Sequence, residues 1–327
     1  MRAELLDSNT LRNLAEARDF KEFLEILSKT PYGEELANAE IDVLELEQIL
    51  NKKFLERLNK IIISSPKEIS EFIKDYYIMG LEIKNLKRIL RGKFSGMPSE
   101  WIARSLIPMR PYLSVNFEEL LETKTLEEFV EALKETAYAT LSESLRICVE
   151  HEVLWPMETR LNGLHVDRIE VSLMNLSPED RVIVKRVLQT RMDIENLLAA
   201  DKWGKEFGRQ TPPRGYFYRI YGVPLEVLES LIKTGDLEEI IKSLGPPYYQ
   251  ILKPLLEDDV ALVRRYLQRY IYEVLRKSKT RSDFAFPAIF FLLTSFENEI
   301  ENLASIAWGK EQGVPPKKIL KYILLPS

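Results

Sequence analysis

Three lysines stand between glycines in the same short pattern: GKFSG from Gly92, GKEFG from Gly204 and GKEQG from Gly309. Lysine in a glycine-rich turn is phosphate chemistry, but phosphate loops read GxxxxGK followed by Ser or Thr and precede a helix. Here Phe94, Glu206 and Glu311 follow the lysines, and each pattern comes after a helical run. The first glycine is therefore expected to stop its helix in the left-handed conformation, with the lysine near the negative end. Just upstream stand the pairs Glu82/Asn85, Asp193/Asn196 and Glu299/Asn302, three residues apart and so on one helix face. Such a pair can bind a cation, act as acid and base, or bond to a neighbouring segment; recurrence in three places favours packing. The run Glu257, Asp258, Asp259 is similar to a magnesium cluster of prenyl-chain enzymes, yet no second acidic cluster or basic diphosphate site accompanies it. It reads as a solvated helix start. Cys148, His151 and His165 are too scattered for a triad or a metal cage. No catalytic, cofactor-binding or metal-binding residue is expected.

The elements that carry these residues repeat. Asn85, Asn196 and Asn302 lie 111 and 106 residues apart; Tyr32, Tyr138 and Tyr249, each ending an LxxF/IxxxL run, lie 106 and 111 apart. SPKEIS and SPEDRV place Ser65 and Ser177 as N-caps with Pro66 and Pro178 at N1, while the third copy keeps only the serine, Ser282. Apolar residues then recur at helical spacing up to each GKxxG, over about 26 residues or roughly 39 Å. A proline-led helix follows, as in MPSEWIARSLIP from Met97 and VPPKKILKYILLP from Val314. Pro156 and Pro254 should break the preceding helix in two copies. Strand signals are nearly absent. The spacing predicts an all-α fold of three repeated helical bundles, near 1–110, 111–223 and 224–327.

Composition narrows the function class. The 327 residues are 45% hydrophobic and 30% charged, a globular balance with a sizeable core, and the net charge of −5 argues against nucleic acid as the main partner. A single cysteine excludes an internal disulfide and suits a reducing cytoplasm. The start is charged and lacks an apolar h-region, so no signal peptide is expected. The longest apolar run, Phe284 to Phe296, is shorter than the roughly 20 residues that span a bilayer, so no transmembrane segment is expected either.

One segment exceeds what the repeat needs: an insertion of about fifteen residues in the middle copy, near 209–222. It interleaves Arg209, Arg214 and Arg219 with Tyr216, Phe217, Tyr218 and Tyr221, a composition that protein interfaces enrich. Two readings stand side by side: a partner-binding surface carried by Arg209, Arg214, Tyr216, Tyr218 and Arg219, or a loop whose rings pack on their own domain.

The stretches LSKTPYGEEL, EIKNLKRILRGK, DIENLLAADKWGK and EIENLASIAWGK, with the proline-led helices behind them, resemble the C subunit of archaeal/vacuolar-type rotary ATP synthases, the relative of the d subunit in vacuolar ATPases. The resemblance covers essentially the whole chain, although family members usually begin some residues earlier. It implies a funnel-shaped, non-catalytic subunit on the cytoplasmic face of a membrane rotor ring. There it would receive the central stalk of a proton- or sodium-translocating complex, as a peripheral component without its own membrane span. Two alternatives are a helical scaffold of another assembly and an all-helical prenyl-transfer enzyme.

Overall fold

The computed structural model describes residues 5–36, 41–212, 216–217, 220–278 and 285–326. Arg214, Tyr218, Arg219 and Ser282 lie outside the described residues. Among the described residues every regular element is helical, as the patterning predicts.

Proline sets the helix lengths. In the second copy the helix Ser142–His151 ends at Glu152, which turns left-handed with φ 53°, and Trp155–Leu173 restarts with Pro156 in its first turn. In the third copy Tyr248–Leu252 passes into the 3₁₀ turn Lys253–Glu257 around Pro254, and Val260–Ser278 begins beyond Asp258. The first copy has no proline at this place and keeps one helix, Val43–Ser64. A ring that clashes with the preceding turn and lacks an N–H can open a helix but not continue one.

The caps hold in part. Ser177 caps Pro178–Phe207, its Oγ accepting the Asp180 N–H at 3.1 Å. In the first copy the expected Ser65 cap is not used: Pro66 itself is the N-cap of Lys67–Ile73, without a side-chain bond, because the helix begins one residue later. A π-turn, Lys74–Ile78, joins that helix to Met79–Phe94. The third copy runs Phe286–Glu311 with Pro287 in its first turn.

The expected helix stop at the first glycine of GKxxG does not occur. Gly92, Gly204 and Gly309 remain inside their helices, and the positive-φ residues are the second glycines, Gly96 (φ 69°), Gly208 (φ 66°) and Gly313 (φ 65°). In two copies the first glycine is small because another helix sits on it. A Cβ on Gly92 would lie 2.4 Å from Ile102 Cγ1, one on Gly309 2.8 Å from Ile319 Cγ1, and one on Gly204 3.7 Å from the Ile232 backbone. Those isoleucines belong to the proline-led helices Ser99–Ser105, Pro316–Tyr322 and Leu225–Thr234. Each motif thus reverses the chain with its second glycine, and those at Gly92 and Gly309 seat a helix with their first, while a Cβ on Gly204 would make only ordinary contact.

The chain forms two compact units, Leu55–Ile240, and Met1–Phe54 with Ile241–Ser327. Within the former, Leu86, Ile89 and Leu90 share a core with Phe129, Leu133, Tyr138 and Leu141, residues on both sides of the sequence boundary at 110. Packing therefore joins the capped helix of one sequence copy to the short helices of the next. The sequence repeat and the packing unit are offset.

Candidate functional site

The repeated carboxylates face inward. Glu82 is buried, and its Oε1 accepts the hydroxyl of buried Tyr138 at 2.6 Å while its Oε2 accepts the Ser114 N–H at 3.0 Å. In the other unit Glu299 repeats this: Oε1 accepts the Tyr32 hydroxyl at 2.6 Å, and Oε2 accepts the Leu6 N–H at 2.5 Å. The tyrosine landmark and the acid landmark are thus two halves of one bond. Burial, with the Glu82 charge beside it, pushes the Tyr138 phenol far above its usual range. The middle acid is one methylene shorter and holds backbone: Asp193 Oδ1 accepts the N–H groups of Gly222 at 3.1 Å and Val223 at 3.2 Å. Tyr249, the tyrosine landmark of the third copy, is only half-buried.

The amides work beside them. Asn85 donates Nδ2–H to the Ile107 carbonyl at 2.9 Å and accepts the Ile107 N–H at 2.7 Å. Asn302 does the same with Leu324, at 2.6 Å and 2.7 Å. A primary amide presents a donor and an acceptor side by side, so it pairs with one backbone residue as a neighbouring strand would. Both partners stand 22 residues on, just past the proline-led helix. Asn196 is buried too. These groups are consumed by packing rather than turned toward a cleft.

The lysines of GKxxG do not converge on an anion either. Lys93 donates to the carbonyls of Leu121 (2.9 Å) and Thr123 at the end of the neighbouring helix Phe117–Glu122, and desolvation lowers its pKa. Lys310 is buried and likewise lowered by desolvation. Lys205 pairs with Asp201 at 2.8 Å. Asp259 Oδ1 caps Val260–Ser278 by accepting the Leu262 N–H at 3.0 Å, and its Oδ2 accepts from Tyr322 and Lys321 at 2.8 and 3.0 Å. The acidic run is a helix start, and among the described residues no group of three His, Cys, Asp or Glu side chains could hold a metal. Cys148 is buried, and desolvation pushes its thiol up to about 11, which removes it as a nucleophile.

His165 has a role that spacing did not suggest. Its Nε2 lies 3.0 Å from the carbonyls of both Asp75 and Tyr76, inside the π-turn, where the widened ladder leaves carbonyls to be satisfied. Two acceptors require the proton on Nε2. Desolvation, then the positive charge of Arg191, push the imidazole down to about 3. Because the folded value lies below the unfolded value of about 6.5, stability is full above that pH and falls as pH drops toward 3. Going from pH 6.5 to 5 should cost up to about 2 kcal/mol, less as solvent reaches the part-buried ring. His165→Gln keeps a donor near the same place and should flatten this acid limb in denaturant titrations; an unchanged limb would assign it to other groups.

The insertion divides. Arg209 is exposed. Tyr216, read as an interface anchor, is buried instead: its ring lies 4.8 Å from Trp203 and 5.4 Å from Trp155, and its hydroxyl donates to the Ala199 carbonyl at 3.4 Å. Tyr221 donates to Glu170 and packs beside Val166 and Met192. For these two rings the packing alternative describes what the structure shows. Arg214, Tyr218 and Arg219 lie outside the described residues.

Comparison with known proteins points to a family rather than to a reaction. The ATP synthase (C/AC39) subunit family matches residues 1–322. The A-type ATP synthase C subunit of Methanocaldococcus jannaschii is 26% identical over 98% of this chain and 83% of its own length. The C subunits of the A-type ATP synthases of Pyrococcus furiosus and Methanobrevibacter smithii are each 24% identical over 99% of this chain, covering 87% and 85% of their own lengths.

Proposed function

We propose, from the premise that this chain belongs to the ATP synthase (C/AC39) subunit family, that it couples a membrane rotor ring to the central stalk of an ion-translocating A/V-type complex. As a member it is a non-catalytic ATP synthase subunit, which sets aside the prenyl-transfer enzyme and the unrelated scaffold. The observation that carries the coupling role is where the polar chemistry goes. Glu82, Glu299, Asn85 and Asn302 are spent on internal bonds, and Gly92 and Gly309 on seating helices, so what remains for function is surface and stiffness. A coupler transmits torque through contacts and needs both. No helix among the described residues is long and apolar enough to cross a membrane, which fits a peripheral place at the cytoplasmic face. Three related bundles would form the body, and Arg209, with Arg214, Tyr218 and Arg219, remains proposed as partner-binding.

Reconstitution tests this directly. Complexes assembled from purified stalk, ring and catalytic head should hydrolyse ATP without this chain but drive ion transport only when it is added. Ion transport of equal yield in its absence would overturn the coupling role.

A further inference from the structure

The repeat supplies its own control for surface residues. From Glu82 to Ile107 and from Glu299 to Leu324 the two copies align without a gap, and their glycines, amides and seated isoleucines do the same work. Two of three exposed apolar positions at this end face a charged residue in the other copy, and the third faces a smaller apolar one. Phe94 (46% exposed), Met97 (49%) and Trp101 (54%) stand where the other copy has Glu311, Val314 and Lys318. A turn that accepts glutamate and lysine at 94 and 101 does not need Phe and Trp for folding. Leaving them in water costs solubility, so the apolar choice answers to something outside the chain. Arg104 lies over the Trp101 ring at 5.6 Å, and Trp, Phe, Met and Arg are the residues that protein interfaces enrich.

The neighbourhood says what the occupant must look like. Lys93 and Ser99 both donate to the Leu121 carbonyl, which ties this edge to the end of the helix Phe117–Glu122. Beyond it opens a groove of about 880 Å³ lined by Glu119, Glu127, Glu128, Glu131 and Glu135, with one lysine, Lys134, which pairs with Glu131. Residues 116–152 hold ten glutamates, all exposed, against three Lys or Arg, a balance of −7 in a chain whose total is −5. Anionic headgroups would be repelled from such a face, whereas Lys and Arg side chains would be drawn in.

We propose that the Phe94, Met97 and Trp101 edge and the acidic groove beside it receive a Lys/Arg-rich amphipathic helix of a protein partner. The inference rests on membership of a multisubunit complex but not on the coupling role. Its test has two arms in the assembled complex. In the first, Phe94→Glu, Met97→Val and Trp101→Lys together install the other copy's residues at the same turn, and thermal unfolding should be unchanged. Affinity for the stalk-and-ring assembly should fall at least about tenfold at low salt, and wild-type binding should weaken as salt rises. In the second, a benzophenone amino acid replaces Trp101, is irradiated in the complex, and the product is digested and read by mass; it keeps an aromatic at 101 should the triple variant not fold. A cross-link to a basic helical peptide of another subunit supports the proposal. Lipid adducts, a second copy of this chain, an acidic segment, no cross-link, or undiminished affinity of the folded triple variant would each overturn it. If wild type fails to bind stalk and ring at all, the coupling role falls instead.

Discussion

Replacing Glu299 by alanine should destabilise its unit by about 3 to 5 kcal/mol, because two buried donors, the Tyr32 hydroxyl and the Leu6 N–H, lose one acceptor group together. Tyr32→Phe removes only one bond and should cost about 1.5 to 3 kcal/mol, and the double variant should cost less than the sum, since both changes delete the same bond. Glu82 and Tyr138 repeat the pair in the other unit and should show the same coupling. The phenols add a sign that can be read separately. Tyr138 folded titrates above its unfolded value near 10, so its contribution is intact below that pH and is lost as pH rises through and beyond it. Tyrosinate absorbance should therefore lag for Tyr138 until the unit opens, and the lag should shorten in Glu82→Ala. Two units need not melt as one transition, so hydrogen exchange along the Tyr32 and Tyr138 segments is the measurement to use. A loss below about 1 kcal/mol for Glu299→Ala would mean that water replaces the carboxylate and that the pair is not a structural bond.

These pairs mark the limit of what spacing can reveal. Helix breaks at Pro156 and Pro254 and the cap at Ser177 were legible because each depends on one residue and its immediate neighbours. Tyr138 and Glu82 are 56 residues apart, and Tyr32 and Glu299 are 267 apart; nothing local links them. What the sequence did carry was one buried-type tyrosine and one acid per repeat, recurring in phase, and that joint recurrence was the available signal. The middle copy shows how it fails: Asp193 reaches the backbone at the end of the insertion, and Tyr249 is only half-buried. The glycines misled for a related reason. Only the second glycine of GKxxG needs positive φ; the first answers to an isoleucine ten residues on in two copies, Ile102 after Gly92 and Ile319 after Gly309, whereas Gly204 has room for a Cβ. Periodicity shows that a position is special without saying which contact makes it so. His165 was illegible because the π-turn it serves has no sequence mark of its own.

The insertion offers the sharpest division between folding and binding. Tyr216 fills a pocket of aromatic rings, with Trp155, Trp203 and Phe217 at 5.4, 4.8 and 5.1 Å. Its phenol is pushed well above the usual range, chiefly by burial. Truncation to alanine empties a ring-sized space between two tryptophans that are themselves fixed, Trp203 by its indole N–H on the Gln210 carbonyl and Trp155 by Glu206. Such a site cannot collapse easily, so Tyr216→Ala should cost about 3 to 5 kcal/mol of folding stability. Tyr216→Phe gives up only a long bond to Ala199 and should cost less than about 1 kcal/mol. Because the cavity admits water to the indoles, emission from the native alanine variant should shift to the red before any denaturant is added. Arg209, exposed on the same insertion, supplies the contrast. Its replacement by alanine should leave stability within about 0.5 kcal/mol, so any effect it has must appear in assembly with partner subunits. The reverse outcome, a stable Tyr216→Ala protein that no longer assembles, would make that ring a contact for a partner and the aromatic pocket a consequence of its absence.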